Sequence, residues 1–452
     1  MYYMRLTIVF LFLSQLIAAQ NFSGIVLDIE TNKPIEDVTV YFEKESKGTI
    51  TDAFGTFKLT IESITSKADS LQFSLIGYHT KNIALTKFTN TKTVVYLSKK
   101  LESLDVIVIK TSKNLKTNIN YKTLAALKIG VYAFGSQIIN NYIYVISGNS
   151  SYVEDSGKRA LEVVNDLPEA SFGNLLKELQ RGFNHEAYTN KLQIYNIDND
   201  TWSVSETKFR KRAFQNLNRF DNSLYSLGGK RLSASQKYEY LDDKIEVFDL
   251  GSKAITIDDT NPHQAINFAS FTYQDNIIVM GGSTKLKRNG EKVFTDEAHI
   301  YNITSGMWYE LAKMTFAKET QGVLIDNKIY LIGGNDGRPL KTIESYNINT
   351  GAWTNEGDLF DEMEQPGLTT HDNIIYIFND EKLLTYDTIT KTLEEYNINL
   401  KLKNSKLHYY QNKLYIVGGF TENSNTIAAS SKSYVIDLNE FYKTKPNNSK
   451  GF

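Results

Sequence analysis

Downstream of residue 130 one hydrophobic pattern keeps returning. A short run of alternating apolar positions closes on two small or polar residues: NYIYVISG (141–148), NSLYSLGG (222–229), NIIVMGG (276–282), NKIYLIGG (327–334), NIIYIFND (373–380) and NKLYIVGG (412–419). Alternation of this length predicts a β-strand in each copy. The copies end at 148, 229, 282, 334, 380 and 419, so successive ends lie 81, 53, 52, 46 and 39 residues apart. That is the period of blade-forming repeats carrying one large insertion. Paired glycines suit a strand end at positive φ, where a Cβ is penalised. Copy five has Asn379 and Asp380 instead, the next most tolerant types, and copy one has Ser147 and Gly148.

A second element follows each copy: an aromatic residue, a short turn, then Trp. Tyr195 and Trp202, Tyr301 and Trp308, and Tyr346 and Trp353 are each seven apart, and Phe248/Ile255 and Tyr386/Leu393 keep the spacing with an apolar second member. Such pairs are expected to pack as face-to-face spacers between neighbouring sheets. In the sixth copy Ile436 is followed at that spacing by Lys443, so its outermost strand is weak. Together these residues resemble the kelch repeat over about 131–443. The resemblance implies a six-bladed β-propeller of four-stranded blades around a central channel. A closed ring leaves no free edge, and the weak sixth copy predicts that a strand within 101–130 completes it; 100–130 is read as linker and closing strand.

The N-terminal part has its own alternation. Val38, Val40 and Phe42 alternate with polar neighbours, as do Phe57 and Leu59 after the turn TDAFG, where Asp52 can bond its own backbone and Gly55 can take positive φ. Strand pairs continue in LQFSLIGYHTKNIAL and KTVVYL, predicting a small antiparallel β-sandwich over 21–99. The segments GIVLDIETNKPIEDVTV, GTITDAFGTFKL and LQFSLIGY resemble the carboxypeptidase-regulatory-like domain, a transthyretin-like sandwich. That resemblance implies a non-catalytic appendage of the kind common at the start of Bacteroidetes-type exported proteins. LESLDVIVIK (101–110) reads as a terminal strand or linker. The fold class is all-β: a small sandwich followed by the six-bladed propeller.

Composition narrows the partners. Residues 1–20 place one Arg before an apolar run that ends in small residues at Ala18 and Ala19, the pattern of a cleaved secretory signal peptide. Fifty Lys and Arg against 52 Asp and Glu leave a charge of −2, giving no field to gather nucleic acid or an anionic membrane. The chain has no cysteine, hence no disulfide, no thiolate metal site and no lipid-modifiable Cys after the signal. A soluble periplasmic or secreted protein with no transmembrane segment after cleavage is expected, its last residues, 444–452, a polar tail.

In a four-stranded antiparallel blade, the loop after the second strand and the crossover into the next blade emerge on one face, so insertions gather at one mouth of the channel. The largest, 149–191, holds Phe172, Leu175, Leu176, Leu179 and Phe183 at helical spacing. This helix either packs its apolar side on the propeller or acts as a lid or partner-binding element. Loops 283–298 and 420–431 join it. Arg210, Arg212, His263, Lys318, Glu319 and Glu364, just before the first strands, are candidate ligand-binding residues, and their differing types suggest an asymmetric pocket. The six histidines lack metal-ligand spacing, no Gly-x-Ser-x-Gly elbow occurs, and GGSTK (281–285) lacks phosphate-loop spacing. No cofactor or metal is expected, and galactose-oxidase-like chemistry, which needs a Cys, is excluded. The reading is an exported binding protein presenting propeller loops to an envelope protein or glycan. The alternative is a sugar-acting enzyme resembling the sialic-acid mutarotases, which implies Arg210 or Arg212 holding a carboxylate while Glu319 or Glu364 moves a proton.

Overall fold

The computed structural model describes residues 20–452 apart from 63–68, 76, 89–92, 100–114, 169, 186, 236–237 and 287–290. Residues 1–19, where a signal peptide is expected, and the segment 101–110 lie outside the described residues. The chain divides into two units, Met1–Lys113 and Asn114–Phe452.

The first unit is a two-sheet sandwich. Gln20–Asp28 lies between Thr56–Ile61 and Thr93–Leu97, and the second sheet runs Lys47–Ile50, Thr39–Phe42, Ser70–Ser74, Lys81–Ala84. Inward positions of both sheets, among them Val26, Val38, Val40, Phe57 and Phe73, form one buried core. The TDAFG turn is built as its residues require: Asp52 Oδ1 accepts from the amides of Phe54 (3.0 Å) and Thr56 (2.8 Å), and Gly55 has φ 68°. The expectation of a wholly antiparallel sandwich is corrected at one pair. Thr93–Leu97 runs parallel to Gln20–Asp28, because the chain returns to the first sheet from the second rather than through a hairpin.

The second unit contains six sheets, each of at least four antiparallel strands. Their innermost strands are Gly135–Ile139, Asn216–Phe220, Ala269–Tyr273, Glu319–Ile325, Gly367–His371 and Lys406–Tyr410. Each touches the next and the last touches the first, so the blades close into a ring. The core lies between blades: Tyr330, Ile332 and Ile343 of blade four pack with Ile375, Ile377 and Tyr386 of blade five. Second strands such as Lys328–Asn335, sandwiched in mid-sheet, are buried on both faces.

The glycine pairs are needed twice over. Gly229 has φ 82°, and a Cβ there would stand 2.5 Å from the Ala213 carbonyl oxygen. In blade five the left-handed pair is Asp380 (φ 35°) and Glu381 (φ 63°), one residue later than the expected Asn379 and Asp380. That blade has no insertion, so Asn379 pairs with Lys382 across a two-residue hairpin, which needs positive φ at both central positions. The aromatic pairs also differ from the face-to-face expectation. Tyr195/Trp202, Tyr301/Trp308 and Tyr346/Trp353 sit directly opposite on adjacent strands, tilted by 34°, 41° and 44°. The indole N–H groups donate to Ala125, Thr260 and Lys313, segments leading into blades one, three and four.

Closure occurs at the seam between blades six and one. Lys122–Thr123 supplies the outermost strand of blade six, pairing with Tyr434 and Val435, while Ile119 is buried beside Leu400, Leu402 and Ile436. Where a fourth strand would follow in sequence, Leu438–Lys443 forms a 3-10 helix. The polar-tail expectation for 444–452 is corrected: Asn448–Gly451 adds a fifth strand to blade five, beside Thr392–Asn397. Side chains hold it as well as the ladder: Asn448 Nδ2 donates to Glu395 (2.9 Å), the Lys450 ammonium lies 4.7 Å from the centre of the Phe360 ring and Phe452 packs edge-on against Tyr386.

Removing residues 115–124 is expected to lower the melting temperature of the full chain far more than removing 447–452, and Ile119→Ala should cost about 2–5 kcal/mol in denaturant unfolding. Equal shifts for the two deletions in calorimetry would show that pairing at the seam does not secure the ring.

Candidate functional site

The insertions gather on one face and form a rim. Tyr152–Glu154 of the blade-one insertion pairs with Thr426–Ala429 of the blade-six hairpin, giving a three-stranded sheet across the seam. Hairpins Lys230–Leu232/Glu239–Leu241 and Ser283–Leu286/Lys292–Phe294 rise from blades two and three.

The six candidate residues do not form one pocket. Arg212 is fully buried and turned into blade two: its terminal nitrogens donate to Glu246 Oε2 (2.9 Å) and to the carbonyls of Ser226 (2.7 Å) and Lys244 (2.9 Å), while its Nε is buried without a partner. Lys318, also fully buried, donates to Glu344 Oε2 at 2.5 Å. His263 is buried, with Nε2 on the Gly281 carbonyl (2.8 Å) and Nδ1 3.0 Å from Nδ1 of His299. Burial pushes the His263 imidazole down to about 4. It is therefore neutral, so Nε2–H donates to the carbonyl and Nδ1 accepts from His299. Arg210 is held by Asp242 (2.9 Å). Glu319 accepts from Ser283 (2.6 Å), Lys292 (2.9 Å) and Asn267 (3.1 Å). Glu364 is exposed and lines a separate cavity of about 430 Å³ with Glu362, Lys403 and Glu422.

Their variety has a structural reason. Each partner lies two positions before the aromatic of the third strand: Glu246 before Phe248, His299 before Tyr301, Glu344 before Tyr346. In blade one the same position is Gln193, which bonds both the N–H and the C=O of Ile129 (2.9 and 3.0 Å). Arg212, His263 and Lys318 are thus each matched to a partner in their own blade. The sequence shows the complementary types, cation with carboxylate and His with His, but at separations of 34, 36 and 26 residues that share no common spacing.

Three features of the mouth are open to ligand. A groove of about 550 Å³ runs between the hairpins of blades two and three, lined by Arg231, Tyr240, Leu241, Gln264 and Lys292; the Arg231 guanidinium lies 5.5 Å from the half-exposed Tyr240 ring. The central channel encloses about 280 Å³ among the innermost strands. The third feature is the blade-one insertion, which contains two helices, Ser156–Asn165 and Phe172–Leu179, where one was expected. Asp155 and Ser171 cap them, accepting from the amides of Lys158 (3.0 Å) and Asn174 (3.2 Å). The second helix ends before Phe183, which instead packs near Tyr152. Its buried residue is Glu178, gripped by Arg159 (3.1 Å) and Arg181 (2.6 Å). That ion-pair cluster turns the apolar side outward: Phe172 is 74% exposed, Phe183 63% and Leu176 46%.

Among the described residues no group of three or more His, Cys, Asp or Glu could hold a metal ion, and no helix is long and apolar enough to cross a membrane.

This geometry defines a two-module protein: a carboxypeptidase-regulatory-like domain followed by a kelch-repeat β-propeller. Residues 22–109 match the CarboxypepD_reg-like domain and residues 321–359 the Kelch motif. Kelch-like protein 40 of Xenopus tropicalis is 26% identical over 187 residues, covering 41% of this chain and 29% of that protein. The F-box/kelch-repeat protein At2g29600 of Arabidopsis thaliana is 26% identical over 147 residues, covering 31% of this chain and 33% of its own length. The chain thus spans a third or less of these relatives. The solved structure of YjhT covers 68% of this chain and 95% of its own, with a TM-score of 0.50 at 10% identity, a likeness of fold.

Two outcomes follow from the buried groups. Arg212→Ala leaves Glu246 buried without its partner and should cost about 3–5 kcal/mol of stability; a loss of less than about 1 kcal/mol in urea unfolding would contradict the plug role. His263, and His408, which burial and the Lys406 charge push down to about 3, refuse protons that the unfolded chain accepts near 6.5. Their contribution is therefore complete above that pH and is lost on acidification toward pH 4. The melting temperature should fall between about pH 7 and about pH 4.5, and a His263→Gln, His408→Gln variant should show a shallower fall.

Proposed function

We propose that the protein is an exported, non-catalytic binding protein of the cell envelope, whose blade-one insertion captures a protein partner. The observation that carries this reading is the outward apolar side of the insertion helices, where Phe172, Leu176 and Phe183 stand in solvent although Glu178 is buried. Contiguous exposed apolar surface on a rigid rim marks an interaction site. Aliphatic and phenyl groups at helical spacing offer a glycan few hydrogen bonds, but they match the apolar stripe of a protein segment. The tie to blade six, where Asn425 donates to Glu162 (2.7 Å), holds this surface to the ring. Export rests on the pattern of residues 1–20.

A glycan is the second reading, favoured by the groove where Tyr240 and Arg231 offer a ring face and donors. The residues named for the mutarotase-like alternative are engaged elsewhere. Arg212 and Glu319 are buried and paired, Arg210 is held by Asp242, and Glu364 lines a different cavity.

A photo-reactive residue at Leu176 should cross-link one envelope protein, whereas one at the equally exposed Tyr309 of blade three should not. The triple change of Phe172, Leu176 and Phe183 to Ser should abolish that cross-link with each change moving stability by about 0.5 kcal/mol or less. Identical products from both positions would defeat the partner assignment. Mass spectrometry of the envelope fraction should find a mature N-terminus at Gln20 or Asn21, and an intact Met1 there would defeat the export reading.

A further inference from the structure

The mouth end of the central channel holds a cation that no carboxylate neutralises. Lys406 begins the innermost strand of blade six and pairs opposite Val417, the residue before Gly418, which places it at the face where the insertions gather. Among the described residues its ammonium makes no ion pair and has one side-chain partner, the Gln321 amide oxygen at 3.5 Å. Its remaining exposure is into the cavity it lines, together with Ser136, Asn216, Ser270, Gln321 and His408. No Asp or Glu is part of this lining. Burial alone pulls Lys406 down to about 8, so it still carries its charge at neutral pH.

The polar groups that line the cavity with Lys406 bring no negative charge. Gln321 Nε2 donates to Gln365 Oε1 (2.9 Å), leaving the Gln365 amide nitrogen buried with no partner. His408, neutral, shares a 2.6 Å hydrogen bond with Ser136. Every other buried cation described above has its carboxylate: Arg212 has Glu246 and Lys318 has Glu344. A partly buried lysine that lines a cavity without a counter-ion gives up hydration that no carboxylate returns, at a cost to the stability of the fold. Such uncompensated costs are found where function requires them.

We propose that the mouth end of the channel, with Lys406 as its counter-charge, binds a small organic monocarboxylate of monosaccharide size, a uronic acid being the representative class. One ammonium neutralises one negative charge, whereas a phosphate dianion would bring a second charge with no cation to meet it. The cavity of about 280 Å³ suits a single sugar-sized ring rather than a polymer. This site is independent of the insertion surface, which lies outside the channel lining.

The test is calorimetric titration of the full chain at neutral pH with glucuronate, with glucose as its neutral counterpart and with inorganic phosphate, using the native protein, Lys406→Met and the rim control Lys403→Met. Glucuronate should bind the native protein and Lys403→Met alike, at least about tenfold more tightly than Lys406→Met, and more tightly than glucose or phosphate. Lys406→Met should melt at or above the native temperature, since an apolar stem replaces a buried charge. A second readout needs no variant. The lining offers two titratable groups, Lys406 and His408; Gln321, Ser136 and Ser270, facing from blades four, one and three, are neutral. A bound carboxylate raises the Lys406 pKa, so titrations above pH 8 in buffers of different ionisation enthalpy should show proton uptake on binding. No glucuronate binding by the native protein, unchanged binding by Lys406→Met, binding without proton uptake, or phosphate binding as tightly as glucuronate would each overturn the assignment.

Discussion

Ring closure is the constraint on which the rest of the propeller depends. Six sheets twisted about a common axis bury their faces against one another only if the first meets the last, and a single open seam would expose the faces of two blades to water. The seam is fastened at two radii and on two faces. Lys122–Thr123 completes blade six at its outer edge, and the ladder between Tyr152–Glu154 and Thr426–Ala429 ties the insertions of blades one and six across the mouth. Lys116 and Asn118 bridge to Thr444 and Asn397, so the same segment reaches blade five as well. The fastening is made of backbone hydrogen bonds between segments about 300 residues apart, with Tyr434 and Thr123 as one pair.

A second layer of order lies between the crossovers and the third strands. In blades two, three and four a buried polar residue of the crossover, Arg212, His263 or Lys318, meets a partner that stands two residues before the third strand's aromatic. Both members sit in low dielectric, where a mismatched pair is expensive. The chemical types accordingly vary from blade to blade while the geometry does not. This explains how residues of such different character can occupy equivalent positions without forming a ligand pocket.

With those charges consumed internally, the surface left for function is what the framework does not use. The insertion helices turn apolar side chains to solvent because the ion pairs of Glu178 with Arg159 and Arg181 occupy the inner side of the second helix. The channel keeps one cation, Lys406, without a carboxylate. Both features run against the tendencies that stabilise a fold, apolar groups inward and buried charges paired, and both lie at the mouth where the insertions gather. In the proposed reading the propeller is a platform whose recognition chemistry is carried by loops and by the channel wall.

The sequence by itself determined the number of blades, the approximate place of each second strand and the N-terminal sandwich, because these rest on local requirements: positive φ at Gly228 and Gly229, alternation toward a core, an aromatic seven residues from its indole. It also located the closing strand to within the span 101–130, since a weak last strand implies a replacement from elsewhere. Only the tertiary structure decided where charged and apolar side chains point. Arg212 and Glu246 are 34 residues apart and Lys318 and Glu344 are 26 apart, separated by hairpins of variable length, so no fixed local spacing announces the pair. The outward turn of Phe172 and Leu176, the strand formed by Asn448–Gly451 and the isolation of Lys406 depend likewise on which neighbours the ring brings to each side chain. Local backbone geometry is written residue by residue, whereas burial and charge pairing exist only once the ring has closed.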